Sequence, residues 1–171
     1  RVQRLTKALE PAIQGWRFEA VVRALQAMRG IDLVSAVGLV AEIGDIARFD
    51  HPRKLMGYLG LVPSESSSGE RVNRGPITKT GNAHARRLLT EAAWNYRFGP
   101  RIARQAQQRQ RELPESIKAI AWKAQLRLSA RFKALQLRGV QINKVCVAIA
   151  RELSGFIWAI ATQVRADSTK G

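Results

Sequence analysis

Apolar residues recur at alternating three- and four-residue steps along most of this chain, and that rhythm fails most plainly across residues 61–82. A 3.6-residue period puts positions i, i+3, i+4 and i+7 on one side of a helix, whereas a strand alternates with period two. The chain therefore predicts an all-α fold with one long interruption. Val2, Leu5, Leu9, Ala12 and Trp16 form the first stripe, already running where the sequence begins at Arg1. Pro11 opposes it, because a proline inside a helix costs about 3 kcal/mol. The stripe reads as the continuation of a longer protein, with an ordinary first helix on a processed end as the alternative.

Phe18, Val21, Val22, Leu25 and Met28 make a second face, which Gly30 ends. Asp32 can cap a third helix, whose face is Leu33, Ala36, Val37, Val40 and Ile43 and whose stop is Gly44. A short helix follows over 49–60, with Pro52 near its start. Across 61–82, Pro63, Ser64, Ser66, Ser67, Ser68, Gly69, Gly75, Pro76 and Gly81 are turn and loop residues. A loop that long inside a helical chain is usually functional or disordered. It has room for a short strand pair around Arg71–Val72 and Ile77–Thr78.

Asn82 is a cap for the next face, Ala85, Leu88, Leu89, Ala92, Ala93 and Tyr96. Residues 98–100 interrupt it, and 105–111 read as a solvated helical turn or linker. After Pro114 a long helix turns Ile117, Ile120, Ala121, Ala124 and Leu128 inward until Gly139. A last helix carries Ile142, Val145, Cys146, Ile149, Leu153, Phe156 and Ile160. No internal repeat is evident.

The 171 residues suit one domain, or one domain with an appended helical region. A hydrophobic content of 46% is enough for a core and excludes wholesale disorder. Lys and Arg number 29 against 13 Asp and Glu, a formal charge of +16, so a polyanionic partner is expected. Nucleic acid suits that charge best, with an anionic membrane surface as the weaker alternative. The lone Cys146 excludes an internal disulfide and a Cys-based zinc site, and two histidines do not suggest a His-rich one. No metal site and no cofactor are expected in this chain. The greasiest stretch, 156–161, lies between Arg151 and Arg165, short of the ~18–20 residues of a membrane span. No signal peptide is visible, and the chain reads as soluble and intracellular, with no membrane partner.

Two places could carry chemistry. Gly30-Ile31-Asp32 lies between two short apolar helices and is similar to a helix-hairpin-helix, which holds backbone phosphates on peptide N–H groups. Those hairpins read Gly-apolar-Gly, and here Asp32 would repel phosphate. The plainer reading is that Asp32 caps a packed helix. The second place is 66–75, where three serines precede Gly69 and Arg71, Arg74 and Lys79 stand close in sequence. A serine hydroxyl attacks only when it is oriented and deprotonated. Attack on a phosphodiester also needs cations against the charge that develops on phosphorus. A flexible surface loop is the bland alternative. Lys123, Arg127 and Arg131 recur every four residues on one face of the long helix and could contact phosphates, as could Arg101, Arg104, Arg109 and Arg111 upstream. Trp16, Trp94, Trp122 and Trp158 sit in helical patterns and read as packing residues first.

Gly60-Leu61-Val62-Pro63, Ser68-Gly69, Gly75-Pro76-Ile77-Thr78-Lys79-Thr80-Gly81-Asn82, Arg86-Arg87-Leu88-Leu89 and Ala92-Ala93-Trp94 follow one another in one order. That series resembles the carboxyl-terminal transposase domain of the insertion-sequence one-ten family, grouped with one-sixteen and nine-oh-two relatives. The hairpin region 30–49, the stretch from Leu113-Pro114 to Trp122-Lys123-Ala124-Gln125, and 148–158 extend the resemblance over nearly the whole chain.

The resemblance implies DNA transposition by strand cutting and joining through a serine nucleophile, with a phosphoserine link to DNA. It implies a guide RNA, a homo-oligomer and a bacterial cytoplasmic setting at the nucleoid. Ser68 aligns with the family's Ser-Gly, and Ser67 is its rival. Arg71, Arg74 and Lys79 would neutralise the scissile phosphate and its neighbours, Arg86 and Arg87 could contact DNA backbone or only keep their face soluble, and His84 could shuttle a proton, with a plain exposed surface histidine as the favoured alternative. The family's RuvC-like domain, whose four acidic residues hold a divalent metal such as magnesium, has no counterpart in this sequence. The expected division is 1–29 as a helical linker from a missing upstream domain, 30–100 as the transposase core with its Ser-Gly loop, and 101–171 as a basic helical extension on that core. A non-catalytic DNA- or RNA-binding helical module, a truncated relic, stays open as the alternative function.

Overall fold

The structure is a computed structural model that describes residues 1–68 and 71–171, and the side chains of these apart from 65–68 and 71–74. In chain order the described residues form α1 (Val2–Ile13), α2 (Glu19–Leu25), α3 (Leu33–Ile43), α4 (Pro52–Tyr58), β1 (Pro63–Ser68), β2 (Arg71–Ile77), α5 (Ala83–Ala93), α6 (Arg104–Gln110), α7 (Glu115–Leu137) and α8 (Ile142–Ser168). Single 3-10 turns lie at Ile46–Arg48 and Trp94–Arg97. The class is all-α, with one antiparallel hairpin set between α4 and α5.

The helix α8 is the post around which the others pack. It contacts α2, α4, α5, α7 and the turn at Ile46–Arg48. Val145, Ile149, Leu153, Ile157 and Ile160 on it are all buried. Each such side chain contributes about 1.5–3 kcal/mol relative to exposure. Gly155 lets α4 come close, since a Cβ there would lie 3.1 Å from Met56 Cε. Trp158 donates its indole N–H to the Phe49 carbonyl at 2.7 Å, so it ties the chain ahead of α4 to the post.

Length and a mean hydropathy of 1.5 over 18 residues would by themselves allow α8 to cross a membrane, against the expectation that no run comes close. The apolar content has a packing cause, because elements on several sides of α8 each need an apolar face to meet. Half of that 18-residue window is buried inside the protein.

Helix ends follow the sequence punctuation closely. Asp32 Oδ1 accepts from Ser35 N at 2.8 Å and caps α3, while Gly30 precedes it at φ +82°. A Cβ on Gly30 would lie 2.7 Å from the Ala92 carbonyl oxygen, so this turn is pressed against the end of α5. Gly30-Ile31-Asp32 is thus a packed corner with Ile31 buried, the plainer of the two readings. Asn82 Oδ1 accepts from Ala85 N at 3.0 Å and caps α5.

Two expectations are corrected. The first stripe forms a helix, but Ile13 and not Ala12 enters the core, and α1 ends before Trp16. The interruption is largely a β-hairpin and not a loop. Residues 105–111 take the helical one of their two expected readings, as most of α6, anchored where the buried Gln110 amide donates to the Ala27 carbonyl at 2.9 Å.

Candidate functional site

The hairpin is held at its base by two crossing stretches of backbone. Thr78 N donates to the Val62 carbonyl at 3.0 Å and Lys79 N to the Gly60 carbonyl at 3.1 Å. A Cβ on Gly60 would lie 2.1 Å from Thr80 O, and one on Gly81 1.9 Å from Tyr58 O. Both glycines have positive φ, +67° and +80°. The chains can cross this closely because neither residue has a side chain. Lys79, between them, is the one described non-glycine residue in the left-handed region, at φ 54°.

Above that crossing, the register pairs Ser68 with Arg71, Ser67 with Val72, Ser66 with Asn73 and Glu65 with Arg74. An irregularity between Pro63 and Glu65 precedes the pairing of Pro63 with Ile77. The expected pairing of Arg71–Val72 with Ile77–Thr78 is therefore wrong, since Arg71 and Ile77 are the two ends of one strand. The true partner is the serine run. Ladder hydrogen bonds use backbone groups, so a strand of serines pairs without any apolar alternation to announce it. The side chains of Ser67, Ser68, Arg71 and Arg74 lie outside the described residues.

The other candidate cations divide by what they touch. Lys79 is exposed. Arg86 Nη1 donates to two carbonyls, Thr80 at 2.7 Å and Leu59 at 3.1 Å, and so clamps both sides of the crossing. Arg87 is exposed, 3.2 Å from His84 Nδ1 and 3.8 Å from Glu91. The stripe on α7 is real but partly neutralised. Lys123 is exposed, whereas Arg127 Nε lies 2.7 Å from Glu152 of α8. Arg131 Nε lies 3.2 Å from the other oxygen of that carboxylate, an ionic approach without hydrogen-bond alignment. Among the tryptophans, Trp94 is 43% exposed and packs edge-on to Phe132, 6.1 Å between centroids.

Sequence reasoning missed Arg29. It donates to the carbonyls of Phe98 at 3.1 Å, Gly99 at 2.9 Å and Arg101 at 2.8 Å, fixing the break between α5 and α6. Tyr96 Oη in turn donates to the Arg29 carbonyl at 3.1 Å. Burial lowers the Arg29 pKa and raises that of the Tyr96 phenol. Contacts some 70 residues apart in sequence leave no local signal. The His51 ring is also a helix cap, Nδ1 accepting from Arg53 N at 3.1 Å.

Among the described residues no three His, Cys, Asp or Glu side chains gather to hold a metal ion. The donors among these residues therefore do not fit a divalent-metal site.

Comparison with known proteins places the chain. The model of the Transposase IS116/IS110/IS902 family matches residues 22–108. The transposase-named protein y4qE of Sinorhizobium fredii is 53% identical over 150 residues, 88% of this chain and 38% of that protein. The transposase for insertion sequence element IS1111A of Coxiella burnetii is 31% identical over 139 residues, 81% of this chain and 32% of its own length. The transposase for insertion sequence element IS1533 of Leptospira borgpetersenii is 26% identical over 142 residues, 82% of this chain and 41% of that protein. The chain thus spans about two fifths or less of the length of these relatives. With its glycine-crossed hairpin and capped α5 inside the matched segment, this chain belongs to the Transposase IS116/IS110/IS902 family.

Proposed function

We propose that this chain is the carboxyl-terminal, serine-bearing part of an insertion-sequence transposase that cuts and joins DNA strands. Ser68 is the nucleophile, with Ser67 as its rival. Its oxygen bonds to a backbone phosphorus and loses its proton, and the strand oxygen on the far side of that phosphorus departs as a hydroxyl end. A second strand end reverses the step and releases the serine. Arg71, on the rung of Ser68, stabilises the extra negative charge on phosphorus, while Arg74 and Lys79, farther down the hairpin, neutralise neighbouring phosphates. Lys123 and Arg87 hold flanking phosphates, and Arg127 and Arg131 of α7 join them only where Glu152 releases them. A guide RNA, a second copy of the protein, and a divalent metal held by residues outside this chain complete the machine.

One observation carries this reading. Within a family-matched segment, the backbone register sets Ser68 opposite Arg71, so the candidate nucleophile and a cation share one rung. The test uses the longest open reading frame that contains this chain. Incubated with labelled element-end DNA, it forms a covalent adduct that survives denaturing electrophoresis. Ser68→Ala abolishes the adduct while DNA binding persists. An undiminished adduct transfers the role to Ser67 or sinks it. No adduct in any context, with salt-sensitive binding intact, leaves the non-catalytic module that the charge of +16 already supports.

A further inference from the structure

Beside the base of the hairpin runs a groove of about 620 Å³ between Pro63, Pro76 and Ile77 on one side and Lys144, Val147 and Arg151 of α8 on the other. Lys144, Val147 and Arg151 stand at i, i+3 and i+7, so they share one face of α8. That face is turned away from the buried stripe of Val145, Ile149 and Leu153. The two cations are about 10.5 Å apart along the helix axis at 1.5 Å per residue. Neither makes an ion pair among the described residues.

We infer that this groove binds an unpaired DNA strand next to the serine hairpin. Its described lining holds two cations and no carboxylate, which suits a polyanion. Proline and aliphatic walls suit base faces, which a duplex keeps inside its own stack and only an unpaired strand can offer. Lys144 and Arg151, separated along one face of α8, can each meet a different phosphate of one strand. The inference deepens the function proposed above and supplies that site with a substrate strand in its single-stranded form.

The experiment measures fluorescence anisotropy of labelled oligothymidine, oligouridine and duplex DNA against salt, using the whole 171-residue chain. Lys144→Gln with Arg151→Gln is expected to flatten the oligothymidine salt slope by about 1.4, at about 0.7 for each phosphate no longer neutralised. Arg4→Gln with Lys7→Gln, on the exposed part of α1, serves as the charge-matched control and changes the slope by less than half as much. Benzoylphenylalanine at Val147 is expected to photo-crosslink to oligothymidine, a readout that does not depend on the double variant folding well. An unmoved slope, an equal loss in the control, an equal or larger loss on oligouridine or duplex, or crosslinking to a second copy of the chain would each overturn the inference. An unsubstituted protein that forms no adduct on element-end DNA yet shows the Lys144 and Arg151 slope response counts against the serine chemistry alone, and an adduct lost in Ser68→Ala with no slope response counts against the groove alone.

Discussion

Arg86 Nη1 lies 2.7 Å from the carbonyl oxygen of Thr80, so a cation in the first turn of α5 grips the chain just as it leaves the hairpin. The same nitrogen reaches Leu59 on the incoming side at 3.1 Å. Hydrogen bonds from a charged donor contribute about 1.5–3 kcal/mol each net of exchange with water, and the bond to Thr80 is exposed and so lies at or below the low end. Arg86→Gln is expected to cost about 1–2 kcal/mol in urea unfolding. Its DNA-binding salt slope should stay within error of wild type. A slope reduced by about 0.9 on duplex would instead assign Arg86 to a phosphate.

The crossing at the hairpin base gives a graded test of steric demand. Gly139 and Gly81 share nearly the same φ, +75° and +80°, but a Cβ on Gly139 meets nothing within 4 Å while one on Gly81 meets Tyr58 O at 1.9 Å. Gly139→Ala should cost about 1 kcal/mol, from backbone strain alone. Gly81→Ala should cost about 3 kcal/mol or more, because backbone must move as well. Equal losses in chemical denaturation would show that the two strands do not cross as closely as described.

Glu152 holds both Arg127 and Arg131 against α8. Glu152→Gln removes one charge and frees two. Duplex DNA binding should tighten, and its salt slope should steepen by up to about 1.8 if both arginines then reach phosphates. Thermal stability should fall modestly, because the pairing carboxylate is largely shielded from water, at 15% exposed. A slope identical to wild type would mean that this face of α7 does not meet DNA.

Burial raises the pKa of the Tyr96 phenol above its ordinary value, with the Arg29 charge only partly opposing it. The sign follows from linkage. A group whose folded pKa is raised supports the fold fully below its unfolded pKa, near 10, and that support is lost as pH rises through the folded value. In a Tyr58→Phe background, tyrosinate absorbance at 295 nm should therefore appear only together with loss of helical circular dichroism. Phenolate formation in the intact helical protein would contradict the burial of Tyr96.

Much of the helical frame could be read directly from residue types. Asp32, Asn82, Gly30 and Gly44 act at helix ends because a carboxylate or amide oxygen satisfies free N–H groups and glycine tolerates positive φ. The stripes on α5, α7 and α8 were legible because one buried side imposes a 3.6-residue period. The hairpin register was not legible, since Ser66, Ser67 and Ser68 pair through backbone alone and carry no alternation of polarity. Nor were the clamps by Arg86 and Arg29, or the double engagement of Glu152. Arginine is a frequent surface residue, and only the fold decides whether its five donors meet carbonyls, carboxylates or water. The family-specific string from Gly75 to Asn82 falls on the end of the hairpin and the start of α5, and the structure explains part of it, since Gly81 and Asn82 serve the crossing and the cap.

Synthesis order gives the central placement of α8 a further meaning. The ribosome delivers α2, α4, α5 and α7 before it, yet each of them rests on α8. Until that last helix clears the exit tunnel, the earlier ones have no surface on which to close. A nascent chain stalled ahead of Gly139 would therefore present chaperones with several greasy helices at once.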